Sequence, residues 1–181
     1  MKLMIASDIH GSLYWCRKML EAWRMEQPRK LLLLGDILYH GPRNDLPREY
    51  APKGVIAELN AVKEHLLCVR GNCEAEVDQM VLEFPVLTES LLFFLEDRMM
   101  YATHGHVLGR QNPPMLQKGD ILLHGHTHVQ AMEDTGNYIY LNPGSVSIPK
   151  EGNDHSYMIY EDRNFIIKSL TDGSAIRSYH L

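Results

Sequence analysis

The stretch ILLHGHTHVQ, residues 121–130, places His124, His126 and His128 on alternate positions directly after an apolar run. Imidazole is a good neutral nitrogen ligand and titrates near neutrality. Three together admit three readings: turn residues facing solvent, a proton relay, or part of a metal site completed from elsewhere in the chain. The rest of the sequence bears on the choice. KLMIAS is followed by Asp8 and His10, KLLLLG by Asp36, HLLCVR by Gly71 and Asn72, and MMYAT by His104. Taken singly, each is ordinary, since D-x-H, G-D and G-N are common turn sequences. Five apolar runs that each stop at Asp, His or Asn point instead to one metal site built from distant segments.

Such a site needs elements that bring the run ends together. The first half alternates strand and helix. KLMIAS reads as a strand, followed by a helix with Leu13, Cys16, Leu20 and Trp23 at helical spacing, stopped by Pro28. KLLLLG reads as a buried strand, GVIAELNAVKEH as a helix with Val55, Leu59 and Val62 on one face, and HLLCVR as a third strand. This alternation predicts a mainly parallel sheet, which binds ligands outside the carboxyl ends of its strands. The second half changes character. SLLFFLEDRMMYATH, VQAMEDTGNYIYLN and HSYMIYEDRNFIIKSL each read as two strands around a polar turn, and DILLHGH as a short strand between the first two pairs. The expected fold class is α/β: a two-sheet sandwich flanked by helices, one compact domain spanning residues 1–181.

Composition narrows the function classes. The 181 residues are 45% hydrophobic and 23% charged, an ordinary globular balance with length for one real core. A net charge of −5 argues against a protein that coats nucleic acid or a membrane surface. Cys16, Cys68 and Cys73 form no C-x-x-C pair, which fits a reducing compartment. No apolar run approaches membrane-spanning length, and the N-terminal one is too short for a signal-peptide core. The expectation is a cytoplasmic protein. Apolar strands in the C-terminal hairpins leave room for a homo-oligomer.

The ordered series SDIHGS, LGDILYHGP, RGNCE, THGH, GHTH and NPGS, running from residue 7 to 145, resembles the calcineurin-like metallophosphoesterase superfamily, and within it the YfcE-like bacterial phosphodiesterases. The resemblance implies the metallophosphoesterase fold with a dinuclear metal centre. Asp8, His10, Asp36 and His128 would hold one ion; Asp36, Asn72, His104 and His126 would hold the second, with Asp36 bridging. It implies hydrolysis of small phosphodiesters by a hydroxide bound at that centre. The ligand types agree on physical grounds. With Asp8 and Asp36 as the only anionic ligands, two divalent ions leave the site positive and attractive to phosphate. Mixed nitrogen and oxygen ligation suits manganese, iron or zinc better than magnesium or a thiolate-bound metal, and manganese is the expected cofactor. Two ions about 3.5–4 Å apart can clamp an in-line displacement and lower the pKa of a bound water toward about 7.

One position departs from the family pattern. Many relatives have a histidine after G-N that protonates the leaving oxygen, where this chain has Cys73, and a thiol with a reference pKa near about 8.5 is an inferior donor near neutrality. The resemblance implies a catalytic set of Asp36, Asn72 and His104, with the role of Cys73 in doubt. His106, two after His104, and His40 and Arg43, in the proline-rich loop after Asp36, are candidates to contact substrate, Arg43 through its fit to phosphate oxygens. His124 is expected to finish its strand and point away from the ligands. Pro143, Gly144 and Ser145 are expected to form a turn that supports the site. Two other readings share these residues: a nucleotide or phosphoprotein phosphomonoesterase, and a non-catalytic scaffold of the retromer-subunit type.

Overall fold

The computed structural model spans residues 1–181 and describes all of them except Glu96. Strand β1 (Leu3–Ala6) shows how the layers are set. Its side chains alternate: Met4 and Ala6 enter one apolar cluster, Leu3 and Ile5 another, and all four are buried. A strand apolar on both faces must be covered on both. On one face lie the helices α1 (Leu13–Glu26) and α2 (Pro52–Asn60), which contribute Cys16, Met19, Leu20, Val55 and Leu59. On the other lies a second sheet, contributing Met100, Ala102, Ile121, Leu123, Ile139 and Leu141.

The first sheet has six strands. β1 pairs in parallel with β2 (Lys30–Leu33), which pairs in parallel with β3 (Leu66–Cys68). On its other side β1 pairs antiparallel with β9 (Ser156–Glu161), which continues to β10 (Asn164–Ser169) and β11 (Ala175–His180). The second sheet has the order β4-β5-β6-β8-β7. It is formed by β4 (Ser90–Leu95), β5 (Arg98–Thr103), β6 (Ile121–Leu123), β7 (Ala131–Asp134) and β8 (Ile139–Asn142). Within it β5, β6 and β8 run parallel. The strands and hairpins expected from the apolar pattern are all present, in a single two-sheet sandwich.

Three local features differ from the sequence expectation. The first sheet is mixed and not mainly parallel, because β9, β10 and β11 join the parallel β1-β2-β3 set antiparallel. The second helix stops at Asn60, and Lys63–His65 form a separate 3-10 turn. The Asn60 side chain donates to the Val81 carbonyl (2.9 Å) and accepts from the Glu83 N–H (2.9 Å), so it ties the helix end to a neighbouring loop. Val62 still packs on the helix-side core. Finally, β11 has no clear sequence signal. Ile176 and Tyr179 are the residues of this strand that pack on the core, and their spacing of three breaks the two-residue period of a strand. Its pairing with β10 shifts register between Ile167 and Lys168. Among the described residues no helix is long and apolar enough to cross a membrane.

Candidate metal centre

The loops that follow β1, β2, β3, β5 and β6 meet at one edge of the sandwich. They carry Asp8 and His10, Asp36, Asn72, His104, and His126 and His128. Five of these residues have left-handed backbone: Asp8 (φ 60°), His10 (47°), Asp36 (55°), His126 (63°) and His128 (61°). A side chain in this region costs about 1–3 kcal/mol, so surrounding bonds must impose it. Those bonds are present. The Asp8, His10 and Gly11 N–H groups donate to the carbonyls of Gly35 (3.1 Å), Asp36 (2.9 Å) and Ile37 (2.8 Å), which zips the β1 and β2 loops together. The Asp8 carbonyl accepts from the Ser145 (2.9 Å) and Ser147 (3.0 Å) hydroxyls, so the NPGS turn underpins the first loop. Ser145 Oγ also accepts from the Ser147 and Ile148 N–H groups of its own turn.

Glu74 performs a similar service beneath the second loop. Its buried carboxylate accepts from the N–H groups of Asp36 (2.9 Å), Ile37 (2.7 Å) and Gly71 (2.5 Å). Burial, then the nearby Asp36 charge, push its pKa up to about 7, against the pull of those three bonds. Gly71 leaves no room for a side chain, because a Cβ there would lie 2.2 Å from Asp36 Oδ1. Glu74 was present in the sequence as the last letter of RGNCE; nothing in that letter announces three backbone partners on two loops.

The imidazoles are oriented alike. His10, His104 and His128 each donate from Nδ1 to a backbone carbonyl, of Tyr39 (2.7 Å), Leu34 (2.6 Å) and Ile148 (2.7 Å). This fixes the tautomer and aims each Nε2 inward. His10 Nε2 and His128 Nε2 lie 3.2 Å apart, and His128 Nε2 is 3.3 Å from Asp8 Oδ1, a buried oxygen with no hydrogen-bond partner. His104 Nε2 is 3.1 Å from Asn72 Oδ1 and 3.2 Å from His126 Nδ1. Asp36 Oδ2 stands between the two groups, 3.7 Å from His10 Nε2 and 3.5 Å from His104 Nε2. Asp36 Oδ1 instead accepts the Cys73 N–H at 2.9 Å.

Lone pairs converging at these distances require positive charge among them. Burial alone would lower the histidines, but Asp8 and Asp36 outweigh it, raising His10 and bringing His104 up to about 9. Burial likewise opposes ionisation of Asp8, yet His10 and His128 hold it well below the usual carboxylate range. His126, with no such carboxylate contact, is lowered to about 4 by burial and by the charge on His104. The ligand atoms of Asp8, His10 and His128, and those of Asp36, His104 and His126, each fall within 4.8 Å of one another, as a shared cation requires. The orphaned Asp8 oxygen, the inward Nε2 atoms and the neutral Asn72 oxygen form a mixed oxygen and nitrogen donor set that fits divalent cations.

The other candidates divide. The Cys73 thiol stands beside Asp36, accepting from Asn72 Nδ2 (3.3 Å); burial and the Asp36 charge push it well up, so it stays protonated. Arg43 and His106 line a cleft of about 1130 Å³ that opens over the centre. The His106 ring lies 5.4 Å from that of His104 and 6.2 Å from that of His126. His40 packs edge-on between the Tyr39 and Tyr50 rings and is not part of the cleft wall. His124 is buried and supports the loop after β5: its Nδ1 donates to the Gly125 carbonyl and its Nε2 accepts the Arg110 N–H at 3.2 Å. Beyond the centre the cleft is walled by Arg110, Glu133, Lys150 and Arg177, which the motifs did not single out.

Known proteins share this arrangement of chain and fold. Residues 1–164 match the calcineurin-like phosphoesterase superfamily domain. The chain is 46% identical over 176 residues to the phosphodiesterase YfcE of Escherichia coli, covering 97% of this chain and 96% of that one. It is 24% identical over 153 residues to a phosphodiesterase of Methanocaldococcus jannaschii. The solved structure of the E. coli phosphoesterase superposes with a TM-score of 0.96 at 45% identity and 99% coverage of both chains. Vps29 of Entamoeba histolytica shares the fold, with a TM-score of 0.64 at 19% identity and coverage of 100% of this chain and 99% of that one.

Proposed function

The chain belongs to the calcineurin-like phosphoesterase superfamily, and from that premise we propose that it is a metal-dependent phosphodiesterase acting on small organic diesters at a dinuclear centre. The observation that carries the reading is the common orientation of His10, His104 and His128, whose inward nitrogens converge with Asp8 Oδ1 and Asp36 Oδ2. Asp8, His10, Asp36 and His128 would hold one ion, and Asp36, Asn72, His104 and His126 the other, a mixed nitrogen and oxygen set that suits manganese, iron or zinc. When bound, two divalent cations supply a bound water of lowered pKa and neutralise charge on the phosphoryl oxygens.

The chain's own residues do the rest. The strained turns hold the ligands in place before substrate arrives, so little reorganisation remains for the reaction. Arg43, on the cleft wall, meets a phosphate oxygen, and His106 flanks the side near His104 and His126. Cys73 keeps its proton and donates it poorly, which favours diesters whose leaving group departs as a stable anion. Three cysteines without disulfides fit a cytoplasmic location.

The test uses metal-stripped protein with manganese, zinc or magnesium restored separately, assayed on an aryl phosphodiester and its monoester. Manganese-dependent cleavage of the diester, abolished in Asp36→Asn, is the expected result. No turnover with any metal, despite tight ion binding, would overturn the reading.

A further inference from the structure

The cleft is larger than the chemistry at its floor requires. At about 1130 Å³ it exceeds the roughly 300–1,000 Å³ of an ordinary small-molecule site, and it runs from Asp36 and Cys73 out to β7 and β11. The character of its outer part is set by charge. Its walls carry the cations Arg43, Arg110, Lys150 and Arg177, and the anions Asp36, Glu133 and Glu151. Asp36 belongs to the metal centre. Arg110 is neutralised by Glu133 at 2.6 Å and lies over the Tyr140 ring. Arg43, Lys150 and Arg177 enter no ion pair among the described residues, against Glu151 alone.

These three cations come from separate parts of the chain. Arg43 is on the irregular loop after β2. Lys150 donates its own backbone N–H to the carbonyl of His128 at 3.1 Å, beside the candidate metal ligands. Arg177 is on β11, opposite Ile167 in register, where β11 approaches β7. On a chain of net charge −5, three unpaired cations facing one cleft make a local field of opposite sign to the whole. The overall negative charge disfavours a long polyanion; a short one enters without meeting it.

Building on the phosphodiesterase reading above, we propose that the outer cleft binds a second anionic group on the substrate: the preferred diesters carry a further phosphate or carboxylate on the retained arm, held by Lys150 and Arg177. The scissile phosphate sits over the metal ligands, and the second group reaches toward β11.

The proposal is tested with two substrates that share leaving group and nucleoside: thymidine 5′-(p-nitrophenyl phosphate) and the same diester with a 3′-phosphate. In both, water adds to phosphorus, the bond to the aryl oxygen breaks and p-nitrophenolate leaves. In the manganese-loaded enzyme kcat/KM is expected to be about tenfold higher for the 3′-phosphorylated diester, the worth of two modest ion pairs, and the ratio falls as salt is added. In a Lys150→Ala, Arg177→Ala double variant the ratio collapses toward one. Calorimetry supplies a readout without turnover: thymidine 3′,5′-bisphosphate binds more tightly than thymidine 5′-monophosphate, and the double variant loses the difference. Equal kcat/KM for the two diesters, or a ratio that the double variant leaves unmoved, overturns this proposal and leaves the phosphodiesterase reading intact. Absence of turnover on both overturns the two together.

Discussion

Cys73 shows how one side chain limits a reaction. Its backbone N–H serves the centre by bonding Asp36 Oδ1 at 2.9 Å, a role any residue but proline fills. Its side chain is another matter: the thiol is half-buried, faces the Asp36 carboxylate and keeps its proton. On the proposed reading, leaving groups that need a proton would be cleaved slowly, whereas nitrophenolate leaves without one. Cys73→His is expected to accelerate an alkyl diester by at least about tenfold, at the low end of general acid catalysis, and an aryl diester by much less. Equal acceleration of the two would count against a missing proton donor. Manganese affinity, measured alongside, separates a change at the centre from a change in the acid.

At the scale of elements, the strand ends were legible because apolar runs and the polar residues that stop them are both properties of the local sequence. KLMIAS, KLLLLG and HLLCVR announced three neighbouring strands, and Asp8, His10, Asp36 and Asn72 followed directly. The turns that aim those residues were not legible. Nothing in Asp36 or His126 as letters specifies a left-handed backbone, which non-glycine residues avoid unless neighbours impose it. The imposing partners are distant in the chain: Glu74 lies 38 positions from Asp36, and Ser145 137 from Asp8. The same holds for β11, which depends on β10 for its pairing, and for the end of α2, which depends on the loop that Asn60 grips. Glu74 makes this testable, since it joins the loops after β2 and β3. Glu74→Gln keeps the size but turns an amide NH2 toward backbone N–H groups, and is expected to weaken manganese binding about tenfold. A competition titration that gives the native affinity would show the clamp to be dispensable.

For the molecule as a whole, the proposed two-ion centre sets proton and metal in competition for the same interior. Between about pH 6.5, the reference for an unperturbed histidine, and about 9, the raised value of His104, the metal-free native state retains a proton on His104 that an unperturbed histidine would have released. An entering cation must displace it, whereas His126, lowered to about 4, has none to give up. Affinity for the ion held by His104 therefore rises with pH up to about 9, by as much as about tenfold per unit from this group alone, and binding near pH 7.5 releases protons. Calorimetry in buffers of differing ionisation enthalpy reads that release directly; heats that do not depend on the buffer would contradict it.

The left-handed turns have an evolutionary consequence. On the proposed reading, a residue that carries a conformational penalty in order to bind a cation gives up that penalty when glycine or asparagine replaces it. Five such positions surround the centre, so loss of catalysis and gain of robustness lie along the same mutational steps. A descendant that no longer needed the chemistry would give up the backbone penalty together with its ligands, at the cost of the bonds that Asp8 and Asp36 accept from the His126 and Cys73 N–H groups.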